Sequence, residues 1–146
     1  MKILIFMVRL LMGGMMLEEG LNKLIGGTFS ASGFLTNSTG PFSGWYAGLV
    51  PYTPVLDPIV IWTQILIGIA LLLGILVRFV SFFAAIMMIV FYLAYIPSPL
   101  GWINYQIIYA VLFTGLLFTG AGYFLGFDRL FYQLEIKKHP WRLLLG

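Results

Sequence analysis

Residues 9–27 read RLLMGGMMLEEGLNKLIGG, which combines the apolar composition of a membrane span with four charged side chains. The charges are Arg9, Glu18, Glu19 and Lys23. A charged side chain inside a bilayer is energetically costly, so it usually faces the protein interior and has a partner or a functional role there. The stretch therefore predicts a membrane helix whose polar face is turned toward the rest of the protein.

The composition of the whole chain is that of an integral membrane protein. Of its 146 residues, 61% are hydrophobic and only 9% are charged, whereas soluble domains carry about 25% charged residues. The absence of cysteine excludes disulfides, iron–sulfur clusters and thiol–disulfide chemistry within the chain. The single histidine, His139, excludes a haem held by two histidines, and we expect no metal site.

Four long apolar runs predict four membrane spans, at about residues 3–25, 55–77, 79–96 and 103–127. A transmembrane helix needs about 20 mainly apolar residues, and all four runs reach or approach that length. The connections after the second and third runs are short, so spans two to four are expected to be antiparallel neighbours. The predicted fold is all-α, a single transmembrane domain over residues 1–146 that forms an integral membrane four-helix bundle.

The distribution of Lys and Arg predicts the orientation in the membrane. Basic residues lie before the first span, between the second and third, and after the fourth, but residues 24–77 contain none. The positive-inside rule then places both termini in the cytoplasm and the first loop outside the plasma membrane. The net charge of +3 thus reflects topology, and we expect no nucleic-acid partner. Residues 126–146 are expected to form a short interfacial helix that anchors on anionic lipid.

The loop between the first two spans is rich in Gly, Ser, Thr and Pro but also contains several aromatic residues, among them Trp45 and Tyr46. A free linker has no need of aromatic residues, so we expect this loop to be ordered. Two interpretations remain open: the aromatic residues form a belt at the membrane interface, or the loop is a lid over a cavity for a flat apolar ligand.

Polar and small residues form one stripe on each of the first two spans, because an α-helix turns about 100° per residue. Such stripes are expected to face each other inside a helix bundle. The first stripe consists of Arg9, Gly13, Met16, Gly20 and Lys23. The second stripe consists of Asp57, Gln64, Gly68, Leu71, Ile75 and Arg78.

Each charge has a structural and a functional interpretation. Arg9 either pairs with Asp128 and fixes span one to span four, or marks a second depth of the same cavity as Lys23. Arg78 is expected to end its helix and to extend toward the interface. Lys23 either pairs with Glu19 one turn earlier or contacts an anion at the outer membrane face.

Several motifs resemble those of the DoxX/DoxD membrane-protein superfamily, in the same order and with the same spacing. They are RLLMG at 9–13, GLNKL at 20–24, GIALLLGILVR at 68–78 and TGAGYFLGFDRL at 119–130. The last motif is most similar to the DoxD form. Gln64 stands where many members carry Glu, and Tyr123 stands where many carry Arg, so a proton-handling role at the first of these positions is in doubt.

The resemblance implies a function, because DoxD looks like the large membrane subunit of thiosulfate:quinone oxidoreductase. That enzyme oxidises two thiosulfates to tetrathionate and passes two electrons to a membrane quinone. The expected substrates are thus a small anion and a lipid-soluble quinone, with no haem and no metal. The expected partners are membrane lipid, a small subunit of the DoxA type and further copies in an oligomer.

The chemistry that the resemblance implies assigns roles to particular residues. Lys23, Arg9 and Glu19 are the candidate catalytic residues: the cations stabilise negative charge on the quinone oxygen, and the carboxylate delivers a proton. Thiosulfate sulfur is expected to attack the quinone ring, and a second thiosulfate to displace the adduct as the disulfide-linked product. The candidate substrate-binding and quinone-binding residues are Asn22, Trp45, Tyr46, Asp57, Gln64 and Arg78.

Two other functions fit the sequence. One is a non-catalytic membrane subunit of a respiratory complex of the quinol oxidase type, in which the charges only hold helices together. The other is a small transporter or channel, against which stand the small number of spans and the lack of an inverted repeat.

Overall fold

The computed structural model describes residues 2–96, 101–122 and 126–128. These residues are mainly α-helical and contain no β-sheet. The helices are α1 (Lys2–Gly26), α2 (Ser32–Thr36), α3 (Ser43–Gly48), α4 (Thr53–Leu73), α5 (Val77–Ala94) and α6 (Tyr105–Thr119), and a 3-10 turn, Val50–Tyr52, precedes α4. The predicted interfacial helix at 126–146 lies, beyond residue 128, outside the described residues.

Two of these helices are long and apolar enough to cross a membrane. They are α4 with its preceding turn, Val50–Leu73, and α5, Val77–Ala94. Only 28% and 33% of the apolar windows in these two helices are buried inside the protein. Their remaining apolar surface is exposed, which is typical of lipid-facing helices and not of the core of a soluble domain. The 25 residues of α1 would suffice in length, but this helix carries the charges described above.

Helix α1 packs antiparallel to α4, with the two polar stripes in contact as predicted. A Cβ atom on Gly13 would lie 3.0 Å from Leu71 Cβ, and one on Gly68 would lie 2.6 Å from the Leu17 nitrogen. One turn further along, a Cβ atom on Gly20 would lie 2.7 Å from Ile65 Cγ1. The backbones approach this closely only because glycine occupies these positions.

Helix α5 packs mainly against α6, and smaller contacts of α4 with α5 and of α1 with α6 join the two helix pairs. Their shared apolar core contains Met12, Met16, Leu71, Met88 and Phe113. The two ends of this assembly differ in the residues that they contain. The loop end contains Lys23 and residues 27–52, and the turn end contains Arg9 and the connection between α4 and α5.

The first loop folds onto the loop end of α5, so the prediction that it is ordered is confirmed. Tyr46 donates its hydroxyl hydrogen to the Val90 carbonyl oxygen at 2.6 Å, and Tyr95 donates to the Phe34 carbonyl oxygen at 2.9 Å. The aromatic residues of the loop divide into two groups: Phe34 packs against the protein, whereas Trp45 is 60% exposed. The belt and the lid both stay predictions.

Two helices end earlier than the predicted spans because a glycine follows their last residue, and one helix begins earlier than its predicted span. Helix α4 stops at Leu73, since Gly74 adopts a left-handed conformation with φ of 68°. Helix α5 then begins at Val77, so Arg78 lies in the first turn of a helix and does not end one. Helix α6 stops at Thr119 before Gly120, whose φ is 62°, and not at residue 127.

Candidate functional site

A cavity of about 330 Å³ lies at the loop end between the two helix pairs. Methionine and aromatic side chains form most of its wall, and a few polar groups converge on it. This combination is typical of sites for small organic ligands. Its lining consists of Met15, Met16, Glu19, Lys23, Phe29, Ala31, Phe34, Val60, Gln64, Met88, Phe91, Tyr105, Gln106 and Tyr109.

Lys23 is the cation of this cavity and is held by neighbours on two helices. Its Nζ donates to Glu19 Oε2 at 2.8 Å and to Gln64 Oε1 at 3.0 Å. The same ammonium lies 5.5 Å from the ring centroid of Phe29, a cation–π distance. The Lys23 side chain is only 19% exposed, against 58% for Glu19. Lys23 is therefore a positioned, largely desolvated cation, and the expected pair with Glu19 is present.

Gln64, which belongs to the polar stripe of α4, lines the same cavity and is buried. Its Oε1 accepts the hydrogen bond from Lys23, which leaves the amide Nε2 as the group that can donate to a ligand. An amide gives up no proton at ordinary pH, so Gln64 positions Lys23 and does not exchange protons with it. This geometry gives Gln64 a hydrogen-bonding role, in agreement with the substitution of Glu by Gln at this position.

Three residues of the first loop, Phe29, Ala31 and Phe34, close the cavity on one side. Asp57 supports this part of the loop, because its Oδ1 accepts a hydrogen bond from the Ala31 nitrogen at 2.8 Å. Asp57 itself is not among the described residues that line the cavity. Asp57 thus fixes this part of the loop and lies outside the described lining of the cavity.

Helix α6 contributes a polar group that the sequence analysis did not identify. Gln106 is 8% exposed and lines the cavity, and its Oε1 has no hydrogen-bond partner among the described residues. The available signal was an amide within the apolar run at 103–127. The hydrophobic pattern of this run does not show which face is buried, so the sequence does not distinguish this amide from an exposed one.

The turn end holds the second cation, Arg9, in a closely packed setting. The side chain is completely buried, and its Nη1 donates to the Ala121 carbonyl oxygen at 2.8 Å. A Cβ atom on Gly74 would lie 2.7 Å from this Nη1, and one on Gly126 would lie 2.8 Å from it. The guanidinium therefore fills the space between two glycines and is not among the residues described as lining the cavity.

Asp128 joins the same cluster and closes the connection between α4 and α5. Its carboxylate accepts hydrogen bonds from the backbone nitrogens of Leu76 at 2.7 Å and Val77 at 3.1 Å, which caps the start of α5. Its own backbone nitrogen donates to the Gly74 carbonyl oxygen at 2.9 Å. Asp128 is also close enough to Arg9 to act on its charge, so the proposed link of the first span to the end of the fourth has a structural basis.

The remaining predicted site residues lie apart from the cavity. Asn22 is exposed on α1, and Trp45 is exposed on α3. Tyr46 is buried in the contact between α3 and α5, and Arg78 lies at the turn end. The structure thus brings together Lys23, Glu19 and Gln64, and places the other candidates elsewhere.

Two tyrosines that fix the loop are expected to stay protonated at all ordinary pH values. Burial raises the pKa of Tyr46 and the pKa of Tyr95 above the ordinary value of 10.0. Their hydroxyls therefore remain available as donors to Val90 and Phe34.

The apolar, outward-facing helices, together with charged groups buried between them, define a helical membrane protein. The chain belongs to the DoxX family, which matches residues 4–96, from α1 through α5. This family is associated with membrane proteins of oxidoreductase systems. No curated protein and no solved structure matches the chain.

Proposed function

We propose that the cavity binds the ring of a membrane quinone, and that the protein is the quinone-binding membrane component of a thiosulfate:quinone oxidoreductase. The observation that carries this proposal is the position of Lys23 and Gln64 at the wall of an otherwise apolar, aromatic cavity. A flat lipid-soluble ring with a polar oxygen needs this combination.

The size and the position of the cavity support the proposal. Its volume of about 330 Å³ lies at the lower end of the range for small-molecule sites, which suits a single substituted ring. The lining methionines Met15, Met16 and Met88 are unbranched and adaptable, so they can pack against different ring substituents. In this proposal α1 and α6 also cross the membrane, both termini are cytoplasmic, and the loop end faces outward.

The residues at the wall provide what reduction of a quinone requires. The reaction takes two electrons from two thiosulfates, joins them through a new S–S bond as tetrathionate, and adds two electrons and two protons to the quinone. Lys23 stabilises the negative charge that develops on the quinone oxygen. Glu19, which is bonded to Lys23 and half exposed, takes protons from solvent and passes them to the site.

The chain alone need not contain the whole enzyme. In this proposal thiosulfate arrives from outside and binds at the loop end, and a small subunit of the DoxA type packs next to the loop. The exposed aromatic residues of the loop, including Trp45 and Tyr52, are available for contact with lipid or with that subunit.

The test is quinone reduction by the purified protein in detergent, with thiosulfate, sulfite or sulfide as the electron donor and a soluble quinone as the acceptor. We expect turnover with thiosulfate, and its loss in Lys23→Ala. Lys2→Ala is the matched control, because Lys2 is an exposed cation at the other end of the same helix. Thiosulfate turnover that survives in Lys23→Ala would refute the role of Lys23.

A second candidate function is a non-catalytic membrane subunit of a respiratory complex. The observation in its favour is that Arg9 and Lys23 of α1 already have protein partners, Glu19 and Gln64 for Lys23 and the Ala121 carbonyl for Arg9. This alternative predicts no turnover with any donor and no binding of a quinone to the isolated protein, whereas the first proposal requires that binding.

A further inference from the structure

The cavity wall formed by α6 contains a buried polar atom that the folded protein does not satisfy. Gln106 is more than nine-tenths buried, and its Oε1 forms no hydrogen bond within the described residues. A buried amide oxygen without a partner destabilises the protein that contains it, and such atoms are rare in folded proteins. The same side chain lines the cavity, so a molecule there that carries a hydrogen-bond donor, such as the hydroxyl of a quinol, is placed to supply the missing hydrogen bond.

Gln106 also lies on a different wall from the polar groups already described. Lys23 and Gln64 belong to the pair α1 and α4, whereas Gln106 belongs to the pair α5 and α6. Methionine and aromatic side chains supply most of the remaining lining. The cavity therefore has polar side chains on both helix pairs, and the rest of its described lining is mainly methionine and aromatic.

We propose that Gln106 is the second polar contact of this site, and that the ligand is a ring with an oxygen atom at each end. This inference rests on the proposed function and refines it. One ring oxygen accepts hydrogen bonds from Lys23 and Gln64, and the opposite oxygen meets the Gln106 amide. Neither the charges nor the family resemblance points to this residue.

The chemistry of the amide adds a prediction about redox state. A lysine ammonium only donates hydrogen bonds, but a glutamine side chain donates through Nε2 and accepts through Oε1. Gln106 can therefore donate to the carbonyl oxygen of a quinone and accept from the hydroxyl of the reduced quinol. The site is thus suited to hold the ligand before and after reduction, and loss of the amide weakens the binding of both forms.

The test is the affinity for decylubiquinone and for decylubiquinol, measured by titration of the purified protein in detergent. The first variant is Gln106→Met, which keeps the length of the side chain and removes its polar atoms. We expect affinity for both forms to fall by about 5- to 10-fold, the effect of one lost hydrogen bond. The melting temperature of the ligand-free protein should stay the same or rise, because the variant removes an unsatisfied buried atom.

Ser81→Ala is the matched control. Ser81 is also completely buried, and its Oγ also has no hydrogen-bond partner among the described residues, but Ser81 does not belong to the described lining of the cavity. Its removal should not lower the melting temperature and should leave both affinities unchanged. A second variant, Gln106→Leu, repeats the test with a different apolar shape.

The outcomes separate this inference from the proposed function. If the wild-type protein binds decylubiquinone and both Gln106 variants bind it equally well, the role of Gln106 is refuted while the quinone site stands. If both Gln106 variants lose stability without ligand, the amide is structural and the inference is again refuted. If the wild-type protein binds neither form, the proposed function itself fails.

Discussion

Arg9 and Lys23 lie on one stripe of α1 but in opposite kinds of environment. Arg9 at the turn end is fully buried, bonded to a backbone carbonyl and enclosed by Gly74 and Gly126. Lys23 at the loop end is partly exposed and lies beside a cavity. The difference teaches that a buried charge with no free space around it stabilises the fold, whereas a positioned charge with free space beside it can bind a ligand.

The largest loss of stability is expected when one carbon atom is added to the close packing at the turn end. In Gly74→Ala the new Cβ would lie 2.6 Å from Gly126 Cα and 2.7 Å from Arg9 Nη1, at a residue with φ of 68°. We expect a loss of about 3–5 kcal/mol in the free energy of unfolding, from the clash and the left-handed conformation together. Thermal unfolding in detergent measures it.

Gly115→Ala is the control for this change. Gly115 lies within α6, and nothing lies within 4 Å of where its Cβ would be. Alanine is favoured over glycine in a helix by about 1 kcal/mol, so stability should hold or improve. Equal stability of Gly74→Ala and Gly115→Ala would contradict the close packing around Arg9.

Matched substitutions of the two cations test the comparison directly. Arg9→Met should lower the free energy of unfolding by about 3 kcal/mol, because it removes a buried charge from Asp128 and from the Ala121 carbonyl. Lys23→Met should lower it by less than about 1 kcal/mol, since its ion pair is partly exposed. Unfolding in a denaturant that the detergent tolerates measures both. The reverse order of effects would overturn the assignment of structure to one end and binding to the other.

The cap that Asp128 provides at the start of α5 is a further test of the packing at the turn end. Asp128→Ala should cost about 2–3 kcal/mol, because two backbone nitrogens at the start of α5 lose a charged acceptor. Asp128→Asn keeps an acceptor oxygen and should cost less. The melting temperatures of the two variants are compared with that of the wild-type protein. Equal melting temperatures for all three proteins would show that the Asp128 cap contributes little to stability.

The smallest effect is expected at the loop. Tyr46→Phe removes the hydrogen bond to the Val90 carbonyl and should cost about 1 kcal/mol. Burial raises the pKa of Tyr46, so the folded protein favours the protonated form. Its contribution to stability is therefore constant below pH 10.0, the ordinary value, and falls as the pH rises through the raised pKa.

Alkaline titration measures this effect through the absorbance of tyrosinate. In the wild-type protein a fraction of the tyrosines should ionise only above the ordinary range, and that fraction should shrink in Tyr46→Phe. A titration curve that the substitution leaves unchanged in shape would show that Tyr46 is accessible and that the loop does not pack as described.

Much of the fold follows from the sequence, because periodicity and composition are local properties. The stripe of Arg9, Gly13, Gly20 and Lys23 predicted which face of α1 is buried, and glycine in the matching stripe of α4 predicted close approach. Helix ends were predicted less well. Glycine is frequent within membrane helices, so the sequence does not mark Gly74 and Gly120 as helix ends. Only their left-handed backbone conformation in the structure does so.

The sequence by itself determined the class of protein, the apolar helices, the facing stripes and the ordered loop, since each depends on the spacing of residues along one segment. Only the tertiary structure decided which charges share a site. It separated Arg9 from Lys23, placed Asp57 against the first loop, and brought Gln106 of α6 to the cavity that Gln64 of α4 also lines. These relations depend on how helices distant in sequence rotate and pack against one another, which no single segment encodes.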